Sequence, residues 1–197
     1  MRFTALLLSF GIWLLSPQGK PENGWVSPLG LKGMGQGMAQ VRVCTEEEAA
    51  EFYIQHQWMM PGEAEEKAAC LYEDGFRQME YTAEHDFGDG NTVVAGTRVL
   101  CGVSQGVPFF EEVLLEWTEG ENEKGSFDED YVLTTISSDK QSLQIQARGT
   151  YEVVVDNCLT GSVGLDLEVL GFECSHTAGG KTYYHKNAAW GKTWTKS

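Results

Sequence analysis

One segment of the chain has the residue types and spacing of a catalytic nucleophile. Residues Gly102 to Gly106 follow the G-x-S-x-G pattern, in which a serine is exposed on a sharp turn between a strand and a helix. Asp156 and His176 follow in the chain order of the hydrolases that use this pattern. Ser104, Asp156 and His176 could therefore form the triad of a small secreted serine hydrolase.

The surrounding sequence favours a simpler interpretation of Ser104. The pattern is short, and a chain rich in glycine and serine produces it by chance. A nucleophile turn also requires a following helix within a parallel α/β sheet, and the sequence indicates neither. We therefore favour a glycine-flanked turn between strands and a non-enzymatic protein, and keep the hydrolase as the alternative.

The spacing of the histidine, cysteine and acidic residues does not match that of known metal-binding motifs. The four histidines (His56, His85, His176 and His185) do not form H-x-x-x-H or H-E-x-x-H. Cys174 and His176 are close in sequence, but one thiol and one imidazole are too few for zinc. The acidic segment from Asp86 to Asn91 departs from the calcium-loop pattern and is typical of a hairpin turn. We expect no metal and no cofactor.

The beginning of the chain predicts export. Arg2 precedes an apolar run from Ala5 to Leu15, which is too short to span a bilayer and suits the core of a signal peptide. We assign 1–19 to the signal peptide, with removal between Ser16 and Asn23, 20–39 to a Gly/Pro-rich lead-in, and 40–197 to one domain. We expect a periplasmic or secreted protein with no membrane span in the mature chain.

Five cysteines in an exported chain indicate a disulfide framework with one cysteine left over. The sequence does not determine the pairing. The pairing that we favour is Cys44–Cys70 with Cys101–Cys158, which leaves Cys174 free. The formal charge of −15 argues against nucleic acid and anionic membrane surfaces as partners, because both require neutralising cations.

The elements that would position these residues begin at a strand-to-helix corner. Val41 and Val43 alternate with polar residues, and Thr45 with Glu48 has the spacing of a capping box for a helix that Pro61-Gly62 ends. A second short helix is predicted over Glu63–Tyr72. From Phe76 onwards the periodicity changes to that of strands, which we predict over the segments Phe76–Phe87, Thr92–Cys101, Val107–Thr118, Ser126–Ser137, Ser142–Val155 and Leu165–Leu170.

The predicted fold is mainly β, of the α+β class. Strands at this spacing indicate an antiparallel meander, which forms a small barrel or a curved sheet, with one or two short helices packed on it. The interior of a small barrel can hold one apolar ligand. The aromatic side chains that could line such a site are Phe109, Phe110, Trp117, Tyr131 and Tyr151.

These features together resemble a known family. The chain has a Met/Gly-rich lead-in, a Cys44-Thr-Glu-Glu-Glu48 corner and a meander ending at Cys158. In these features it resembles small bacterial periplasmic proteins that have a Cys-Thr-x-Glu corner and a lipocalin-like sheet. The resemblance covers Met34 to Cys158, and Leu159–Ser197 is additional. It implies a periplasmic β-sheet protein and no particular reaction. We expect a protein that binds a small apolar ligand or an envelope partner.

The export hypothesis predicts a processed mature protein. Expression in a bacterial host with the natural leader should yield periplasmic protein whose intact mass lacks about the first 19 residues, since leader peptidase removes the signal. Intact-mass spectrometry and N-terminal sequencing measure this. Full-length protein retained in the cytoplasm would contradict the hypothesis.

Overall fold

The computed structural model describes residues 39–88, 90–105, 107–120, 125–156 and 166–195. The predicted signal peptide, almost all of the lead-in and Cys158 lie outside these ranges. The strands are β1 (Ala39–Val43), β2 (Arg77–Asp86), β3 (Thr92–Ser104), β4 (Val107–Glu119), β5 (Gly125–Ile136), β6 (Ser142–Asp156), β7 (Glu173–Ala178) and β8 (Lys181–Thr195). Two helices, α1 (Glu46–Gln57) and α2 (Pro61–Glu73), lie between β1 and β2. The predicted mainly β class is confirmed.

The strands form two four-stranded antiparallel sheets. Sheet A has the order β1-β2-β3-β4, and sheet B has the order β5-β6-β8-β7. Sheet A is the predicted meander, and in sheet B the last strand inserts between β6 and β7. Because the described strands divide between two sheets, they do not form the single closed barrel that was one of the two predicted forms.

The two sheets pack face to face through aromatic side chains. Trp190 of β8 donates its indole N–H to the carbonyl of Ala83 in β2, at 3.1 Å. The ring of Phe87, just after β2, stacks on that of Tyr151 in β6, with 5.1 Å between centroids. All these side chains are buried, so this interface is the main core of the fold.

The other face of sheet A is covered by the two helices. Phe52 and Tyr53 of α1 and Ala64 and Ala68 of α2 are buried in one cluster, against which Leu115 of β4 packs. The protein therefore has three layers, a helical hairpin, sheet A and sheet B. The central strands β2 and β3 are covered on both faces, which explains why the alternation in Phe76–Phe87 is imperfect.

The helix start is as predicted, but the helix boundary at Pro61 is not. The amide of Glu48 donates to Thr45 Oγ1 at 3.2 Å, and the amide of Thr45 donates to the Glu48 carboxylate at 2.7 Å, which confirms the capping box. The first helix ends at Gln57, and Pro61 begins the second helix instead of stopping the first. Proline suits the first turn of a helix, because its missing N–H is not needed there.

The predicted strand over Leu165–Leu170 is wrong. Residues 166–169 are helical, and the amide of Leu170 donates to the carbonyl of Asp166 at 3.1 Å. Leu167 is buried and Leu170 packs over Gly88, whereas Val169 is 88% exposed. The alternation of leucine and valine with acidic residues is typical of a strand. However, the side chains that pack inward are Leu167 and Leu170, which have the spacing of a helix.

A partly buried carboxylate links sheet A to the helical layer, near the turn from β1 to α1. Glu80 of β2 accepts hydrogen bonds from Arg42 Nη2 at 2.8 Å and from Arg98 Nε at 3.1 Å. Arg42 of β1 also pairs with Glu48 of α1, and the Arg98 guanidinium lies 5.1 Å from the ring centre of Phe52. Burial opposes the ionisation of Glu80, but the bonds from Arg98 and Arg42 outweigh it and hold the pKa of this carboxyl below its usual value.

Replacing this carboxylate should destabilise the fold. Glu80→Gln leaves Arg98, whose side chain is 14% exposed, without its anionic partner, so we expect a loss of about 2 kcal/mol of unfolding free energy. Chemical denaturation at pH 7 measures this. Glu119→Gln, at the exposed end of β4, is the matched control and should change the unfolding free energy by less than about 0.5 kcal/mol. A Glu80→Gln variant as stable as the control would contradict the prediction.

The stability difference between wild type and Glu80→Gln should depend on pH. The folded-state pKa of Glu80 lies below the ordinary 4.5, so its stabilisation is present above about pH 4.5 and is lost as the pH falls further. The gap in stability between wild type and Glu80→Gln should therefore narrow as the pH falls below about 4.5. Burial and Lys186 also lower the pKa of His85, but this effect is common to both proteins and cancels in the difference.

Candidate functional site

The structure places Ser104 on a hairpin, not on a strand–helix turn. Ser104 is the last residue of β3 and pairs with Val107, where the antiparallel β4 begins. No helix follows it. The favoured interpretation of the G-x-S-x-G segment, a turn between strands, agrees with this geometry.

The other two residues of the proposed triad lie at the opposite end of sheet B. Asp156 ends β6 and pairs with Lys181, and the ring of His176 in β7 stacks on Tyr183 at 4.3 Å between centroids. Ser104 shares a groove with Gln141, which precedes the start of β6. Because β6 is 15 residues long, its two ends are separated by about 45 Å. The three side chains do not form a triad.

The predicted Cys44–Cys70 disulfide is not formed, and both residues are free thiols. Cys44 is buried at the end of β1, with its amide bonded to the carbonyl of Gln78, whereas Cys70 is exposed on α2. Burial raises the pKa of the Cys44 thiol to about 11, which leaves it unreactive at neutral pH. Cys101 is buried with its sulfur 3.8 Å from the Tyr81 hydroxyl, and its pairing with Cys158 stays a prediction because Cys158 lies outside the described residues.

The five aromatic residues proposed to line a ligand site do not converge on one cavity. Phe110 and Tyr151 are core side chains, each less than 2% exposed. Trp117 covers Gly96, where an added Cβ would lie 2.3 Å from the indole ring. Tyr131 lies opposite the exposed Arg148 on the outer face of sheet B. Phe109 borders an open groove, whose lining does not include the other four.

That groove lies where the β3–β4 and β5–β6 turns meet. It is open, has a volume of about 360 Å³, and is lined by Ser104, Val107, Phe109, Glu111, Asp139, Lys140 and Gln141. Lys140 Nζ lies 2.6 Å from the Glu111 carboxylate and 5.7 Å from the centre of the Phe109 ring. Hydrogen bonds from the Ser137 hydroxyl and the Gln141 amide lower the pKa of Asp139, which keeps this carboxylate charged.

A second unusual feature is the corner between the two helices. Trp58 follows α1 with a left-handed backbone (φ 56°) and is 90% exposed. Met60 is 68% exposed, whereas Met59 between them packs on the helical cluster. We call Trp58 and Met60 the helix-corner patch. The sequence did not indicate this patch, because the first helix was expected to continue as far as Pro61-Gly62, whereas it ends at Gln57.

Contacts between the two helices lie next to the helix-corner patch. Lys67 of α2 donates to the side chain of Gln57, immediately before Trp58, at 2.8 Å. The same ammonium group lies 4.1 Å from the ring centre of Tyr53. These contacts join the two helices next to the patch, so the exposed side chains are presented from a defined backbone.

Neither the arrangement of a metal site nor a membrane-spanning helix is present among the residues that the structure describes. No group of three or more His, Cys, Asp or Glu side chains there has the arrangement of a metal site. None of the helices described is both long and apolar enough to cross a bilayer.

Comparisons with protein-family models, with curated proteins and with solved structures gave no match to this chain.

The separation of Ser104 from Asp156 and His176 predicts that this serine is unreactive. Purified protein treated with a fluorophosphonate should remain unmodified by intact-mass spectrometry, because His176, the general base of the proposed triad, lies at the far end of sheet B. Stoichiometric labelling that is abolished in Ser104→Ala would contradict this and restore the hydrolase alternative.

Proposed function

We propose that this chain is an exported, non-enzymatic binding protein that recognises another protein of the cell envelope through the helix-corner patch. The observation that carries the proposal is the left-handed Trp58, which is 90% exposed. Export is supported by the apolar run from Ala5 to Leu15 and by the resemblance to periplasmic proteins.

The backbone conformation of Trp58 argues against a purely structural role. A left-handed residue at the end of a helix is normally glycine, and a residue with a Cβ costs about 1 kcal/mol more there. Because Trp58 is 90% exposed, its indole ring contributes almost no hydrophobic stabilisation to the fold. Strain of this kind at an exposed aromatic residue supports a functional reason for the side chain.

The energetics of association support a protein partner. Burying one tryptophan side chain removes about 150–250 Å² from water, worth roughly 4–6 kcal/mol before the costs of association. Tryptophan is among the residues most enriched at the centres of protein interfaces. Met60, beside Trp58, adds an adaptable apolar contact.

The charges around the patch define the kind of partner. Glu63, Glu65 and Glu66 are exposed on the first turns of α2, and the whole chain carries −15. An apolar pocket with a basic rim is the complementary surface. Anionic lipid and nucleic acid would be repelled by the same charges.

The test begins with Trp58→Gly. This substitution should leave the unfolding free energy unchanged or raise it by up to about 1 kcal/mol, because glycine relieves the left-handed strain. Thermal and chemical denaturation measure this. A loss of more than about 1 kcal/mol would mean that the tryptophan is structural, and would contradict the proposal.

Partner binding is tested in cells of the source organism. A photo-crosslinking amino acid at Met60 should give one discrete adduct, and Trp58→Gly should abolish it. Val169, which is 88% exposed and lies elsewhere in the fold, is the matched control position and should give no adduct. The captured protein, once purified, should bind Trp58→Gly at least about tenfold more weakly by calorimetry. Equal affinity, or an adduct with a second copy of this chain, would overturn the proposal.

A further inference from the structure

The groove between the β3–β4 and β5–β6 turns is built from both sheets, and its walls are joined by the backbone. The amide of Phe110 in β4 donates to the carbonyl of Lys140 in the β5–β6 turn, at 2.9 Å. The amide of Lys140 donates to the carbonyl of Ser137 at 2.8 Å. Two hydrogen bonds therefore hold Lys140 in place on the groove wall.

Lys140 has a left-handed backbone, with φ at 59°. Glycine or asparagine is the ordinary choice for such a position in a turn. A lysine here carries an ammonium group into contact with Glu111 and over the ring of Phe109, at 2.6 Å and 5.7 Å. The groove thus already contains the two elements that bind ammonium groups, a carboxylate and an aromatic face.

We propose that this groove is a binding site for an alkylammonium group, in which the side chain of Lys140 occupies the place of an external amine. The ligand is a small amine or the lysine side chain of a peptide. Lys140 is 46% exposed and Glu111 36% exposed, so the internal ion pair is weak enough for an external amine to displace it.

The charge of the groove selects a cation over an anion. Glu111 and Asp139 are both acidic, and Lys140 is the single basic residue in the lining. When an external amine displaces Lys140, both carboxylates face the ligand. The formal charge of −15 on the chain raises the local concentration of cations further.

The apolar part of the ligand has its own contacts. Val107 and Phe109 line the groove beside the polar residues, and Val107 is 54% exposed. The volume of about 360 Å³ accommodates an alkyl chain of several carbons together with its ammonium group. This site includes neither residue of the helix-corner patch, and neither proposal depends on the other.

Calorimetric titration tests the site with three probes, 1,5-diaminopentane, a blocked Gly-Lys-Gly tripeptide and glutarate. We expect at least one of the two amines to bind the wild-type protein and glutarate not to bind. Binding by the diamine alone identifies a small-molecule ligand, and binding by the tripeptide identifies a lysine side chain. Failure of both amines to bind at about 10 mM, or binding of glutarate instead, would overturn the proposal.

Two substitutions give opposite signs, which separates this site from general charge attraction. Lys140→Gly removes the internal competitor and suits the left-handed backbone, so amine affinity should rise by about tenfold. Glu111→Gln should lower it by about tenfold or more. Lys181→Ala and Glu119→Gln, the matched controls outside the groove, should each change it by less than about twofold. An unchanged or weakened affinity in Lys140→Gly would show that Lys140 is not a competitor and would overturn the proposal.

Discussion

The carboxylate of Glu80 is the contact on which the arrangement of the layers depends. It lies in the second strand and accepts hydrogen bonds from Arg42 and Arg98, on the strands at either side. Arg42 reaches on to Glu48, the residue that closes the capping box of the first helix. The edge strand, the central strands and the start of the helical layer therefore meet at one charge. Burial would otherwise disfavour that charge, and the hydrogen bonds from the two guanidinium groups offset this effect and keep the pKa of the carboxyl below its usual value.

From this corner the helical hairpin covers one face of sheet A, and sheet B covers the other. The two interfaces differ in chemistry. The helical side combines small residues such as Ala64 and Ala68 with Phe52 and Tyr53. The sheet–sheet side is mostly aromatic, and the indole N–H of Trp190 is bonded to the backbone of β2. Packed side chains cover both faces of the central strands of sheet A, and the two proposed binding features lie at turns on the periphery of the fold.

The helix-corner patch and the groove are both formed at turns, and each includes a non-glycine residue with positive φ, Trp58 and Lys140. In both places the backbone at or next to the strained residue makes a hydrogen bond: the amide of Met59, which follows Trp58, donates to the carbonyl of Tyr53, and the carbonyl of Lys140 accepts from the amide of Phe110. A rigid support lowers the entropy that is lost on binding. The two features suit partners of different size, a protein surface and a single amine.

Local patterns in the sequence determined the mainly β class, the Thr45–Glu48 capping box and the β2–β3 hairpin, because each depends on residues a few positions apart. The interpretation of 165–170 as a strand failed because alternation over six residues also fits one helical turn, and only packing over Gly88 decides between them. The pairing of Cys44 with Cys70 and the grouping of Ser104, Asp156 and His176 concern residues far apart in the chain. Such contacts depend on sheet order and strand register, which short-range periodicity does not specify. The exposure of Trp58 and the pairing of Lys140 with Glu111 were likewise decided by the tertiary structure, because both follow from where the chain turns and which turns meet.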